Sequence, residues 1–278
     1  MEGYMKNNFY NYSFPFFNYK KALSTNVTEA HFHKHYEIYY LISGHRRYFI
    51  ENEIIDLFPG DIILIPEMTT HKVLHAPDSD SHEYHERFLL SPQKADIPDV
   101  FLPCFDQHFY RLSEDARKEI LDCFHSLQAR SKTKDAYTEY HNQANLIKIL
   151  CVLAGQPTCE RQTLALSKND LLMQDAALYI KNNFTRQLSL EELAQKYSFT
   201  KEYFSSLFKD VTGFGFNEYV TQMRLAQATP LLISTTMSVT EIASMCGFND
   251  SNYFSKVIRK ITGYSPIGFR TTHRQEKE

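Results

Sequence analysis

At 278 residues, with 43% apolar residues, 21 Phe and 18 Tyr, the chain carries enough apolar material for two packed domains and is not of a disordered type. A net charge of −3 argues against a general nucleic-acid coat. No apolar run approaches the roughly 18–20 residues of a membrane span, and residues 1–18 lack the basic-then-apolar order of a signal peptide.

The first part reads as β. From His31 to Ile50, β-branched and aromatic residues alternate with polar ones, and Ser43-Gly44 marks a turn. Phe58-Pro59-Gly60-Asp61 punctuates the chain before the apolar run Ile62 to Ile65, which ends at Pro66. Short strands with turn signals at this spacing predict a small barrel or sandwich. Tyr84 to Leu90 reads as a further strand, followed by a Pro-containing connection through Pro103. The middle turns helical. Ile120, Phe124 and Leu127, with Leu121 beside them, form one stripe; Tyr140, Ala144, Ile147, Cys151 and Ala154 form a second. Two such helices either cover their own barrel or build the surface of a homodimer. Gln156 to Asn169 reads as a linker, and everything after Asp170 as helices.

These elements predict an α+β protein in three segments: a β-barrel over 1–95, a helical dimerisation segment and linker over 96–167, and an all-α domain over 168–278. Cys104, Cys123, Cys151, Cys159 and Cys246 are scattered without zinc spacing and fit reduced thiols of a cytoplasmic protein. Charge is unevenly spread: from Lys168 onward 13 Lys+Arg stand against 11 Asp+Glu, leaving 17 against 22 in the remainder. The sign suits a C-terminal nucleic-acid module.

That C-terminal domain contains a repeat. Leu190-Glu-Glu-Leu-Ala194 leads through Ser198 into a helix from Thr200 to Val211, ending at Thr212-Gly213. Val239-Thr-Glu-Ile-Ala243 leads through Gly247 into a helix that ends at Thr262-Gly263, and the shared cores Tyr203-Phe204-Ser205 and Tyr253-Phe254-Ser255 lie 50 residues apart. Ser189, and Thr240 or Val239, open the short helices, with acidic residues in the first turn where the helix dipole favours them. Gly247 suits a left-handed turn; Ser198 holds the matching place at a cost of about 1 kcal/mol if its φ is positive. Phe204, Leu207, Phe208 and Val211 predict one buried face, and Phe254, Val257, Ile258 and Ile261 the other. This is a tandem of two helix-turn-helix units, about 189–213 and 239–263.

The run Gly247-Phe-Asn-Asp-Ser-Asn-Tyr-Phe-Ser-Lys-Val-Ile-Arg-Lys-Ile-Thr-Gly-Tyr-Ser-Pro266, with Phe269-Arg270 after it and Tyr219…Arg224-Leu225 before it, resembles the signature of the AraC/XylS family of bacterial transcription regulators. Pro230, inside the helix joining the two units, departs from it. The resemblance implies double-stranded DNA as partner, each second helix in a major groove, with RNA polymerase a further candidate partner. By the helical wheel, Lys201, Glu202, Ser205 and Ser206 of the first helix, and Ser251, Asn252, Ser255 and Lys256 of the second, point outward as base readers. Asn pairs with adenine and Lys reaches guanine N7/O6. Lys209, Arg259 and Lys260 lie further along, towards phosphate.

A second constellation, His31-x-His33-x-x-x-Glu37 with Gly44, Gly60, Pro66 and His71, resembles the two motifs of the cupin barrel. His31, His33, Glu37 and His71 match that fold's metal ligands, while Thr25 and Met68 stand where its motifs expect Gly. If 31 to 39 form a strand, His31, His33, His35, Glu37 and Tyr39 share one face and point into the barrel. Three readings stay open for this set: effector pocket, metal site, or polar core. No cofactor and no catalytic residue is assigned. The expected function is an effector-responsive, sequence-specific DNA-binding transcription regulator, with a sugar as the favoured effector. The rival is a metal-dependent cupin enzyme, a dioxygenase or isomerase, which leaves the last hundred residues idle.

Overall fold

The computed structural model describes residues 16–23, 33, 35–74, 84–157 and 166–275. His31 and Thr25 lie outside the described residues. The chain divides into two compact units, Met1–Ala165 and Leu166–Glu278.

In the first unit the strands are β1 (Phe17–Leu23), β2 (Glu37–Ser43), β3 (Arg46–Ile50), β4 (Glu53–Leu57), β5 (Asp61–Ile65), β6 (His71–Leu74), β7 (Tyr84–Leu90) and β8 (Phe109–Arg111). They pair antiparallel into two sheets, ordered β1-β7-β2-β5-β8 and β4-β3-β6. Among the described residues no ladder joins the two sheets, which share a core between them. Two helices follow, α1 (Glu114–Arg130) and α2 (Thr138–Ala154).

The two-residue period of a strand sorts the side chains into two cores. Ile38 and Tyr40 of β2, Ile62 and Leu64 of β5, and Phe88 and Leu90 of β7 turn towards the helices. There they meet Ile120, Phe124 and Leu127 of α1 and Leu146, Ile149, Leu150 and Leu153 of α2. Tyr39, Leu41, Ile63, Ile65 and Leu89 turn the other way and join Tyr48, Ile50, Ile55, Leu57 and Val73 of the smaller sheet. With both faces covered, β5 reads as an unbroken apolar run, as the sequence shows. Gly60 takes φ +91 in the β4–β5 turn, and the Arg117 guanidinium lies 2.2 Å from where a Cβ would sit.

Of the two roles open to the α2 stripe, covering the barrel is the one it does not take. The stripe of Tyr140, Ala144, Ile147, Cys151 and Ala154 does not face the core: Tyr140, Ala144, Cys151 and Ala154 are exposed and Ile147 is half-buried. The helix is apolar on two sides, and its bulkier aliphatic side, from Leu146 to Leu153, is the one that packs inward.

The second unit is all helical: α3 (Lys168–Asn183), α4 (Leu190–Lys196), α5 (Lys201–Thr212), α6 (Phe216–Ser234), α7 (Val239–Met245), α8 (Ser251–Thr262) and α9 (Pro266–Gln275). Hydroxyl and carboxylate side chains cap most starts by accepting an N–H of the first turn. Ser189 caps α4 and Thr200 caps α5. The start of α7 differs from the expected Thr240 or Val239. Ser238 is the cap, accepting from the Glu241 N–H, while the Glu241 carboxylate accepts from the Ser238 N–H in a reciprocal box. α6 runs on for four residues beyond Pro230.

Candidate nucleic-acid interface and ligand-binding interior

The two helix-turn-helix units, α4–α5 and α7–α8, are built alike in detail. Each second helix ends on a glycine in the left-handed region, Gly213 at φ 83 and Gly263 at φ 79. The residue before each glycine seals the end. Buried Thr212 donates its hydroxyl to the Phe208 carbonyl at 2.7 Å and accepts the Phe214 N–H at 3.1 Å. Thr262 repeats this with Ile258 at 2.8 Å and Tyr264 at 3.1 Å. The turns differ. Gly247 sits at φ +84 with the Thr185 carbonyl oxygen 2.5 Å from where its Cβ would be. Ser198, its counterpart, takes φ 59, the condition on which its cost was set.

Two arginines that the sequence pattern left without a role pin the entry to each unit. Arg224 of α6 donates from Nε to the Phe184 carbonyl at 2.8 Å and from Nη2 to that of Arg186 at 3.1 Å, holding the loop before α4. Arg270 of α9 donates to the Leu232 carbonyl at 3.0 Å and to that of Met237, holding the loop before α7. A cavity of about 430 Å³ lies against the second turn, lined by Thr185, Thr240, Ser244, Gly247, Asn249 and Ser251.

The outward faces carry the residues named from the wheel. On α5, Lys201, Glu202, Ser206 and Lys209 are exposed and Ser205 is half-buried; Phe204, Phe208 and Val211 are buried and Leu207 half-buried. On α8, Asn252, Lys256, Arg259 and Lys260 are exposed and Ser251 and Ser255 half-buried, over buried Phe254, Ile258 and Ile261 and half-buried Val257. The helices are electrostatically unequal. Lys201 is ion-paired with Glu191 of α4, and Glu202 and Asp210 are exposed beside Lys209. Lys256, Arg259 and Lys260 on α8 face outward with no acidic residue within the helix. Tyr203 and Tyr253, missed by the wheel, occupy the same place in both helices and are exposed.

The described members of the histidine constellation, His33, His35, Glu37 and His71, come together, but not by strand parity. β2 begins at Glu37, so His33 and His35 precede the strand. The chain folds back there because the Met68 N–H donates to the His33 carbonyl at 2.8 Å. Met68 takes φ 61 to do so, the conformation for which a glycine would have been suited. The His33 and His35 rings stack at 3.8 Å, and His71 meets His33 edge-on at 4.9 Å. His33, His35, Glu37 and His71 are all buried.

Hydrogen bonds tie this set together. His33 Nδ1 donates to the His35 carbonyl at 2.7 Å, and Nε2 faces Glu37 Oε2 at 3.2 Å. Both ring nitrogens thus meet oxygen atoms of the chain. Burial works to raise the Glu37 pKa, but the His33 hydrogen bond and the charges of His71, His33 and Arg87 outweigh it and hold the carboxyl well below its usual range. Ligating atoms of His33, His35 and Glu37 lie within 4.8 Å of one another. A metal needs neutral imidazole nitrogens, so one bound here would take the place of the contact that now joins His33 to Glu37. Beside the set, burial pushes the Tyr39 and Tyr48 phenols upward, and their rings meet edge-on at 5.4 Å.

Comparison with known proteins places both halves. Residues 19–136 match the model of the AraC-like ligand binding domain, and residues 193–272 match that of a helix-turn-helix domain. The chain belongs to the AraC family. Full-length likeness within this family extends to the HTH-type transcriptional activator RhaR of Cronobacter sakazakii, 26% identical over 256 residues, covering 88% of this chain and 87% of the relative. The helix-turn-helix region is 36% identical over 110 residues to the HTH-type transcriptional regulator YijO of Escherichia coli K12, a match spanning 40% of this chain and 39% of that protein. The solved C-terminal domain of AraT from Geobacillus stearothermophilus is 32% identical, with 38% of this chain and 88% of that one covered and a TM-score of 0.36. No helix among the described residues is long and apolar enough to cross a membrane.

Proposed function

We propose that this AraC-family chain is a sequence-specific DNA-binding transcription regulator whose N-terminal unit binds a small-molecule effector. The carrying observation is the duplicated helix-turn-helix, in which two helices with identical Thr-Gly ends present polar outer faces. Asn252 and Lys256 stand one turn apart on α8 and are the base readers, with Ser251 and Ser255 beside them. Glu202, Ser205 and Ser206 read from α5, with Lys201 turned towards Glu191. Lys209, Arg259 and Lys260 hold phosphates. Such a protein works in the cytoplasm, and we assign it no catalytic step. The activator names of its relatives favour a productive contact with RNA polymerase.

The outward stripe of α2 supports a homodimer: Tyr140 is 76% exposed and shares its side with Ala144, Ile147 and Cys151, a continuous apolar strip on a helix. A ligand then acts by binding one presentation of the paired reading units more tightly than another. Selection of bound duplexes from a random pool by the full-length protein tests the assignment. The expected outcome is an enriched motif whose preference at one position each is relaxed by Asn252→Ala and Lys256→Ala. A pool that stays random after repeated rounds would sink it.

A further inference from the structure

We infer that the interior between the two sheets takes a small anionic effector, a hydroxylated carboxylate held by Arg87, and not a neutral sugar. This deepens the effector-binding reading of the first unit and rests on it.

The argument begins with the register. Arg87 of β7 stands opposite Leu41 of β2, and Leu41 and Leu89, two residues on, both belong to the core between the sheets. Arg87 therefore points into that interior and not towards the helices. Its guanidinium lies 5.4 Å from the centre of the Tyr39 ring, itself buried in the same core. Among the described residues Arg87 makes no ion pair and no hydrogen bond, and its Nη1 is buried without an acceptor.

Several other buried charges of this unit are paired, although Arg46 Nε, on the same interior face, is also without a hydrogen-bond acceptor. Arg47 forks onto Asp56 at 2.8 and 2.9 Å, with His45 on the same carboxylate at 3.0 Å. Arg111 forks onto Asp61 at 3.0 and 2.8 Å. Glu37 is taken by His33. A buried guanidinium donor without an acceptor is costly, and the ring face of Tyr39 offsets only part of that cost. A carboxylate is the planar acceptor that fits the fork of an arginine.

The rest of the interior says what the ligand's body carries. Tyr39 and Tyr48 line the same core, and Glu37 lies near enough to feel the Arg87 charge. The second oxygen of Glu37 and the two phenols offer partners for hydroxyl groups beyond the anionic end.

The test is the melting temperature of the full-length protein against pairs differing only in charge: galacturonate against galactose, gluconate against glucitol, and glycerate against glycerol. Ionic strength is matched with sodium chloride. The acids are expected to raise the melting temperature of the wild type, the neutral partners not, and Arg87→Met to abolish the response. Without ligand, Arg87→Met should stay folded and melt close to wild type, because the methionine keeps the packing on Tyr39 while Glu37 still has His33 and His71 beside it. Neutral polyols stabilising as well as acids would overturn the anion assignment while leaving the effector pocket standing. So would an acid response that survives Arg87→Met. A wild type indifferent to acids and polyols alike overturns both.

Discussion

Replacing Gly247 with alanine tests how the second reading unit is held to the rest of its domain. Two costs combine. A residue with a Cβ at φ +84 loses about 1–2 kcal/mol to left-handed sterics. The new methyl would also stand 2.5 Å from the Thr185 carbonyl oxygen and 2.8 Å from its carbonyl carbon. Those are backbone atoms of a loop that Arg224 holds at Phe184 and Arg186, so they cannot swing aside. Forced overpacking of this kind costs about 1–3 kcal/mol, for a total of about 2–5 kcal/mol. Gly263 supplies the control: at φ +79 it has nothing within 4 Å of the ideal Cβ position, so Gly263→Ala should cost only about 1–2 kcal/mol. Ser198→Gly, relieving φ 59, should gain about 1 kcal/mol at most, because glycine also loosens the unfolded chain. Urea unfolding of the full-length protein, followed by hydrogen exchange on peptides covering residues 185–213 and 239–263, reports each unit separately. If Gly247→Ala and Gly263→Ala destabilise equally, the Thr185 contact has no consequence and the reasoning fails.

On cognate DNA, Asn252→Ala and Lys256→Ala should each cost about 1–3 kcal/mol and relax one base position. Lys260→Ala should weaken binding to every sequence and flatten the salt slope by about one unit; a base-specific loss there would exchange the roles. Glu37, with its pKa held below the usual range by His33, His71 and Arg87 against the effect of burial, stabilises the fold above its unfolded value of about 4.3. Glu37→Gln should therefore melt lower than wild type at neutral pH, with the gap closing as pH falls below that value; a gap that widened in acid would contradict it. Ile147→Glu, on the outward side of α2, should shift the protein from dimer to monomer in sedimentation velocity and leave its melting unchanged at concentrations where the wild type is itself dissociated.

Much of the architecture was legible because its signals are local. The strand β7 and the run of β5 follow from alternation and punctuation, and the helix-turn-helix repeat from caps and glycines at fixed offsets. What the sequence left undecided or placed differently shares another cause. In α2 both sides are apolar, and periodicity cannot tell which side packs; the larger volumes of Leu146, Ile149, Leu150 and Leu153 decide that in three dimensions. The convergence of His33 with Glu37 and His71 was anticipated from strand parity, yet it is produced by a bend whose anchor is a backbone bond from Met68. Arg224 and Arg270 escaped notice as working residues because the carbonyls they hold lie 40 and 38 residues away. Arg87 likewise gains its meaning only from the sheet register that turns it inward.

The helix α6 joins the two reading units, and Pro230 lies within its last turns. Proline has no N–H to give the carbonyl of Ala226, and its ring crowds that same group. The rod between the two readers is consequently weakest one turn before its end. Mechanically, α6 is a lever with a compliant joint placed close to the second reader. Operators whose two recognition sites are slightly out of phase around the double helix would then be accommodated partly by bending at that joint and partly by twisting the DNA. Stiffening the joint with Pro230→Ala should make the protein less tolerant of an added or deleted base pair between the two sites.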